Sequence, residues 1–129
     1  DETQEIPDIL SQPTYMVSEA IKKVLAMYDD NISFKAVQIF PNEQSQIPSV
    51  TRVYWIYDCV MEDCMHADAI KLPNGAYQEI IIDKRKIKGR NIFRPKGLQQ
   101  NQIVVSLAVA ESILRRNPYG VSLKKVEMR

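Results

Sequence analysis

Residues 50–60 form a stretch rich in β-branched and aromatic side chains, apolar on both of its faces. Val53, Trp55, Tyr57 and Cys59 fall on one side, Tyr54 and Ile56 on the other. A strand of this kind must be covered on both sides, so it is expected at the centre of a sheet. Upstream, Val17, Ile21, Val24, Leu25 and Tyr28 recur at helical spacing, with Ser18, Lys22 and Lys23 off that stripe. Thr14, just after Pro13, is the expected N-cap, and Asp29-Asp30-Asn31 the end. A helix with one apolar stripe needs a surface to bury it against, and the sheet supplies that surface.

The remaining strands follow from alternation and turns. Ile32, Phe34 and Ala36 alternate with Ser33 and Lys35, and the polar run 41–48 reads as a loop. Leu72-Pro73-Asn74-Gly75-Ala76 predicts a hairpin joining strands near 67–72 and 76–83. Residues 102–116 fit two periods: Ile103, Val105, Leu107 and Val109 alternate, while Ile103, Leu107, Ala110 and Leu114 also fit a helix. The β-branched content favours a strand through Val109. Asn117-Pro118-Tyr119-Gly120 is a turn, and 121–128 a closing strand. The expected fold class is α+β: an N-terminal helix packed on a curved, mainly antiparallel sheet, a cystatin-like roll. Residues 1–13 read as an arm or linker and 14–129 as a single domain, which suits a chain of 129 residues.

Composition excludes little beyond disorder and a fibrous class. The formal charge is +1, so no global field draws the chain to nucleic acid. No segment approaches the roughly 20 apolar residues that cross a bilayer. The first residue is Asp1, with no apolar signal segment after it, so a removed signal peptide, membrane anchor or tag is expected before it. Cys59 and Cys64 flank Val60-Met61-Glu62-Asp63 between strand-like runs. Across a hairpin they would face each other at disulfide distance, which predicts a bond and an oxidising compartment.

Chemistry-bearing residues gather in two places. Asp58, Cys59, Glu62, Asp63, Cys64, His66 and Asp68 include thiolate, imidazole and carboxylate donors, with Met61 and Met65 beside them. Their spacing matches no strong zinc signature, so a disulfide hairpin with an acidic tip is the expected reading, with no metal or other cofactor. A Cys64–His66 nucleophile needs a third, orienting group that the sequence does not point to. No phosphate loop or nucleophile elbow is present either, so a non-enzyme is expected. The second place is basic: Lys84, Arg85, Lys86, Lys88, Arg90, Arg94 and Lys96, interleaved with Ile87, Ile92 and Phe93. Such a run either solvates and protects a hairpin or binds acidic partners. Trp55, Tyr54 and Tyr57 are read as core rather than as a ligand pocket.

The last quarter of the chain carries a resemblance. Ile103-Val104-Val105-Ser106-Leu107-Ala108-Val109 leads through Arg115-Arg116 into Asn117-Pro118-Tyr119-Gly120-Val121, followed by a short final strand. This is similar to the end of the periplasmic domains of bitopic type IV secretion and conjugation components, the DotI/IcmL and TraM group. There a strand enters an Asn-Pro-x-Gly turn with an apolar residue next, and Asn117, Pro118, Gly120 and Val121 match. The resemblance implies an NTF2-like periplasmic domain behind an N-terminal membrane anchor, with a scaffolding role. The expected function is a non-catalytic, extracytoplasmic protein-interaction domain, periplasmic or secreted. Its partners would be other protein subunits, a second copy of the chain, or membrane headgroups, with nucleic acid disfavoured. The partner-binding residues would be the basic set. Two alternatives remain: an inhibitor or immunity protein inserting the 60–63 hairpin tip, and an NTF2-like or metal-dependent enzyme with a pocket at Trp55, Tyr57 and His66.

Overall fold

The computed structural model describes residues 7–10, 15–39, 52–98 and 102–129. In chain order the elements are β1 (Ile9–Leu10), β2 (Met16–Val17), α1 (Glu19–Tyr28), β3 (Ser33–Ile39), β4 (Arg52–Asp58), β5 (Met61–Glu62) and β6 (Ile70–Lys71). There follow β7 (Tyr77–Glu79), β8 (Ile81–Ile82), β9 (Ile92–Pro95), β10 (Val104–Val105), α2 (Leu107–Leu114) and β11 (Glu127–Met128). The fold is α+β, with two helices and several small sheets and no closed barrel among the described residues.

The largest sheet has the order β1-β2-β4-β3, all antiparallel, so β4 is central, as its two apolar faces require. Tyr54 is buried on one face, while Trp55 and Tyr57 pack against the core on the other. A strand falls inside the expected N-terminal arm: Ile9 pairs with Val17. Residues 1–6 and 11–13 of that arm, Thr14 and the loop at 41–48 lie outside the described residues. The cap of α1 is Ser18, whose Oγ accepts the Ile21 N–H at 3.4 Å. Ile21, Val24 and Leu25 form its buried stripe.

The segment expected to run as a strand through Val109 is instead β10 followed by α2. Ser106 ends the strand and caps the helix, its Oγ accepting the Val109 N–H at 3.4 Å. Val109 and Ile113, one turn apart, are buried where α2 packs on α1, while Leu107 is 75% exposed. Helix-side packing therefore decides between the two periods, and Ala108, Ala110 and Glu111 are good helix formers. Arg116 closes the helix by donating to the Ser112 carbonyl at 2.7 Å.

Two cores meet at β9 and β10. Successive side chains of a strand point to opposite faces. Ile92 and its partner Val105 face the main core under α1 and α2, whereas Phe93 and its partner Val104 face a second cluster around Cys64 and Ile82. β8 runs between β11, parallel to it, and Met65, antiparallel to it, so both of its isoleucines are buried. The closing strand expected over 121–128 reduces to β11, flanked by the Arg129 N–H donating to Ile82 O and the Lys84 N–H to Arg129 O, both at 2.9 Å. The hairpin β6–β7 forms at the expected turn, with the positive φ on Gly75 (89°) and Gly75 N–H donating to Leu72 O at 3.0 Å.

Candidate interaction site

The seven cations of the basic run separate by what holds them. Arg90 and Arg94 are structural. Arg90 Nε donates to Glu62 Oε1 at 2.5 Å, and that carboxylate is only 13% exposed. Arg94 reaches Asp58 Oδ1 at 3.0 Å and the Cys59 carbonyl at 3.3 Å, tying β9 to the end of β4. Truncating either would leave a part-buried carboxylate or carbonyl unsatisfied. Lys86 spends its ammonium on the Met65 carbonyl at 3.0 Å.

Lys84, Arg85, Lys88 and Lys96 are exposed, the first three on one built turn. Asp83, 5% exposed, anchors it: its Oδ1 accepts the Arg85 N–H at 3.0 Å and its carbonyl the Lys86 N–H at 3.1 Å. That Arg85 N–H, helped by the guanidinium, holds the Asp83 carboxyl below the usual carboxylate value against the opposing effect of burial. The Arg85 side chain itself is 88% exposed, so its 3.5 Å approach to Asp83 leaves most of the guanidinium in solvent. Lys88 and Gly89 both take positive φ (55° and 70°), and the Arg90 N–H closes the turn on Ile87 O at 3.0 Å. Two such residues in succession make a tight turn of the primed kind.

An open groove of about 370 Å³ lies beside this turn, lined by Tyr28 and Asp29 at the end of α1 and by Lys88, Gly89, Arg90 and Asn91. The sequence offered no pointer to Tyr28, Asp29 or Asn91, because the end of α1 and the basic turn meet only in the folded chain. The arrangement is too open and polar for a buried small molecule, and Lys88 and Arg90 line it together with the Asp29 carboxylate.

The acidic constellation does not assemble. Cys59 and Cys64 are free, buried thiols in different cores, so the expected disulfide is not formed in this structure. The reason is topological. After β4 the chain does not reverse as a hairpin; β5 runs parallel to β9, so Val60-Met61-Glu62 lies along another strand and projects no tip. Burial pushes both thiols up, against the guanidinium of Arg94 near Cys59 and the ammonium of Lys86 near Cys64. His66 Nδ1 accepts the Asp68 N–H at 3.0 Å, and Asp68 Oδ2 takes Arg129 Nη1 at 2.6 Å. Among the described residues no three His, Cys, Asp or Glu come together as metal donors.

The aromatic residues are built into the fold. Trp55 Nε1 donates to Glu19 Oε2 at 2.6 Å, and the Lys22 ammonium sits 3.7 Å from the indole centroid. Burial pushes the Tyr57 phenol up to about 12. Tyr54 Oη donates to Pro7 O at 2.6 Å. His66 hangs from β8 through its N–H to Ile81 O (2.8 Å), beside the second core, while Trp55 and Tyr57 pack against the main one. Among the described residues no helix is long and apolar enough to cross a membrane. Comparison with protein-family models, curated proteins and solved structures finds no match to this chain.

Proposed function

We propose that this chain is a protein-interaction domain that docks an acidic segment of a partner protein on the basic turn at 84–88 and the groove beside it. One observation carries the reading. Lys84, Arg85 and Lys88 are exposed on a turn fixed by Asp83 and by the Ile87–Arg90 closure. Cations held on a rigid backbone lose less conformational freedom on binding than cations on a floppy loop. The finer reading is an extracytoplasmic component of a type IV secretion or conjugation machine with an NTF2-like roll. It rests on the resemblance at Asn117, Pro118, Gly120 and Val121. In this segment Asn117 and Gly120 take positive φ (47° and 70°), and α2, not a strand, leads into it.

The test uses a fluorescent hexaglutamate peptide, vesicles containing anionic lipid, and a DNA duplex as probes. The peptide is expected to bind at low salt, and the triple variant Lys84→Glu/Arg85→Glu/Lys88→Glu to weaken it about tenfold or more. Arg90 and Arg94 are left intact, because reversing them would disrupt the fold. Equal peptide binding by the variant, or tight binding of vesicles or DNA alone, would overturn the proposal. Protease accessibility of the full-length protein in spheroplasts but not in intact cells checks the extracytoplasmic reading.

A further inference from the structure

We infer that β3 is the pairing edge of a homodimer, in which two copies of this chain join their largest sheets antiparallel about a dyad at Ala36. This does not rest on the basic turn. β3 is the outer strand in the order β1-β2-β4-β3, and among the described residues it pairs with β4 alone. It is seven residues long, where most strands of this fold have two. Its register with β4 runs unbroken from Ser33↔Asp58 to Ile39↔Arg52, so no bulge twists the edge away. It contains no Pro, and Lys35 is its single charged residue. A bulge, a Pro and several charges are devices by which proteins block an edge, and within β3 one cation is the single one present. Helix α1 packs over β4 and β2, and among the described residues no other strand pairs with β3.

Backbone N–H and C=O groups along such an edge are complemented by an extended strand. A second copy is the occupant that the side chains favour. With the dyad at Ala36, Ala36 meets its own copy, Lys35 meets Val37, and Phe34 meets Gln38, so no like charges face each other. Ala36 is exposed and stands beside Trp55 in its own ladder, so two small side chains flanked by two indoles occupy the centre. Gln38 pairs with Val53, which is 45% exposed. Phe34 of the second copy therefore extends the row that holds this uncovered valine. A dyad at Lys35 would set two ammonium groups face to face. A dyad at Val37 would carry Phe34 past the end of the strand.

The experiment is sedimentation over a wide concentration range, with cross-linking as a readout of register. The protein is expected to show a monomer–dimer equilibrium. Ala36→Lys, at an exposed position, should weaken the dimer about tenfold by like-charge repulsion at the dyad. Ala36→Cys should form a dimeric disulfide on mild oxidation. Gln38→Cys should not, because the two thiols would lie four residues apart across the dyad, roughly 13 Å. A monomer at every concentration would overturn the inference. So would a dimer that ignores Ala36→Lys and cross-links through Gln38→Cys.

Discussion

Burial raises both thiols above the ordinary cysteine value, Cys59 in the main core and Cys64 in the second. A raised value means less thiolate, and burial also denies access, so the two effects act in the same direction on reactivity. Native protein is expected to alkylate at both cysteines about a hundredfold more slowly than denatured protein. Denaturation without reductant should release two reactive thiols, as intact mass would show. Two cysteines that stay unreactive until reduced would mean that the bond forms after all. Asp83 shows how position outweighs residue type. Asp58 and Asp68 of the acidic constellation stay exposed, but Asp83, at the base of the basic turn, is buried, its carboxylate taking the Arg85 amide and its carbonyl the Lys86 amide.

Both helices begin at a serine whose side chain accepts the N–H three residues on, and the two serines are not equivalent. Ser18 also donates its hydroxyl to Asp8 Oδ1 at 2.6 Å. Ser106→Ala is therefore expected to cost about 1 kcal/mol, and Ser18→Ala about 2 kcal/mol, read as shifts in the urea midpoint at constant slope. Equal losses would remove the coupling to Asp8 from the account. The legibility of elements follows the same division. α1 was readable because a long apolar stripe repeats across its turns, and β4 because both of its faces are apolar. α2 was not, since alternation and helical spacing coexist between Ile103 and Leu114 and only the contact with α1 separates them. Its cap, Ser106, was the available signal.

Across the whole molecule, Asp8 ties its own segment to Ser18 and to the distant Tyr119. Its Oδ1 takes the Ser18 hydroxyl, its Oδ2 the Tyr119 N–H at 2.8 Å, and its own N–H donates to Tyr119 O at 2.9 Å. Beside it, a Cβ on Gly120 would lie 3.1 Å from Pro7 Cβ, and Gly120 has φ 70°, so both the close approach and the backbone conformation call for glycine. Asp8→Ala would leave the Ser18 hydroxyl and the Tyr119 amide without this acceptor. The expected loss is about 1–2 kcal/mol, or roughly 5 °C in Tm, with faster amide exchange at Tyr119. Asp8→Asn, which keeps one acceptor oxygen, should lose less. An unchanged melting curve for Asp8→Ala would show that the 7–10 segment contributes little to the fold.

The sequence by itself determined what depends on neighbours along the chain: the stripe of α1, the two apolar faces of β4, the turn at Gly75 and the concentration of charge at 84–96. Those features repeat with the period of one helix or one strand, so local sterics and burial suffice to specify them. Tertiary structure decided what depends on distant partners. It sent Cys59 and Cys64 into separate cores by pairing β5 with β9, and it chose helix over strand at α2. It also set the exposed cations Lys84, Arg85 and Lys88 apart from Arg90 and Arg94. A charge read in sequence carries no mark of its partner. Only when Glu62 and Asp58 arrive from elsewhere in the chain does one arginine become part of the scaffold and its neighbour remain available to bind.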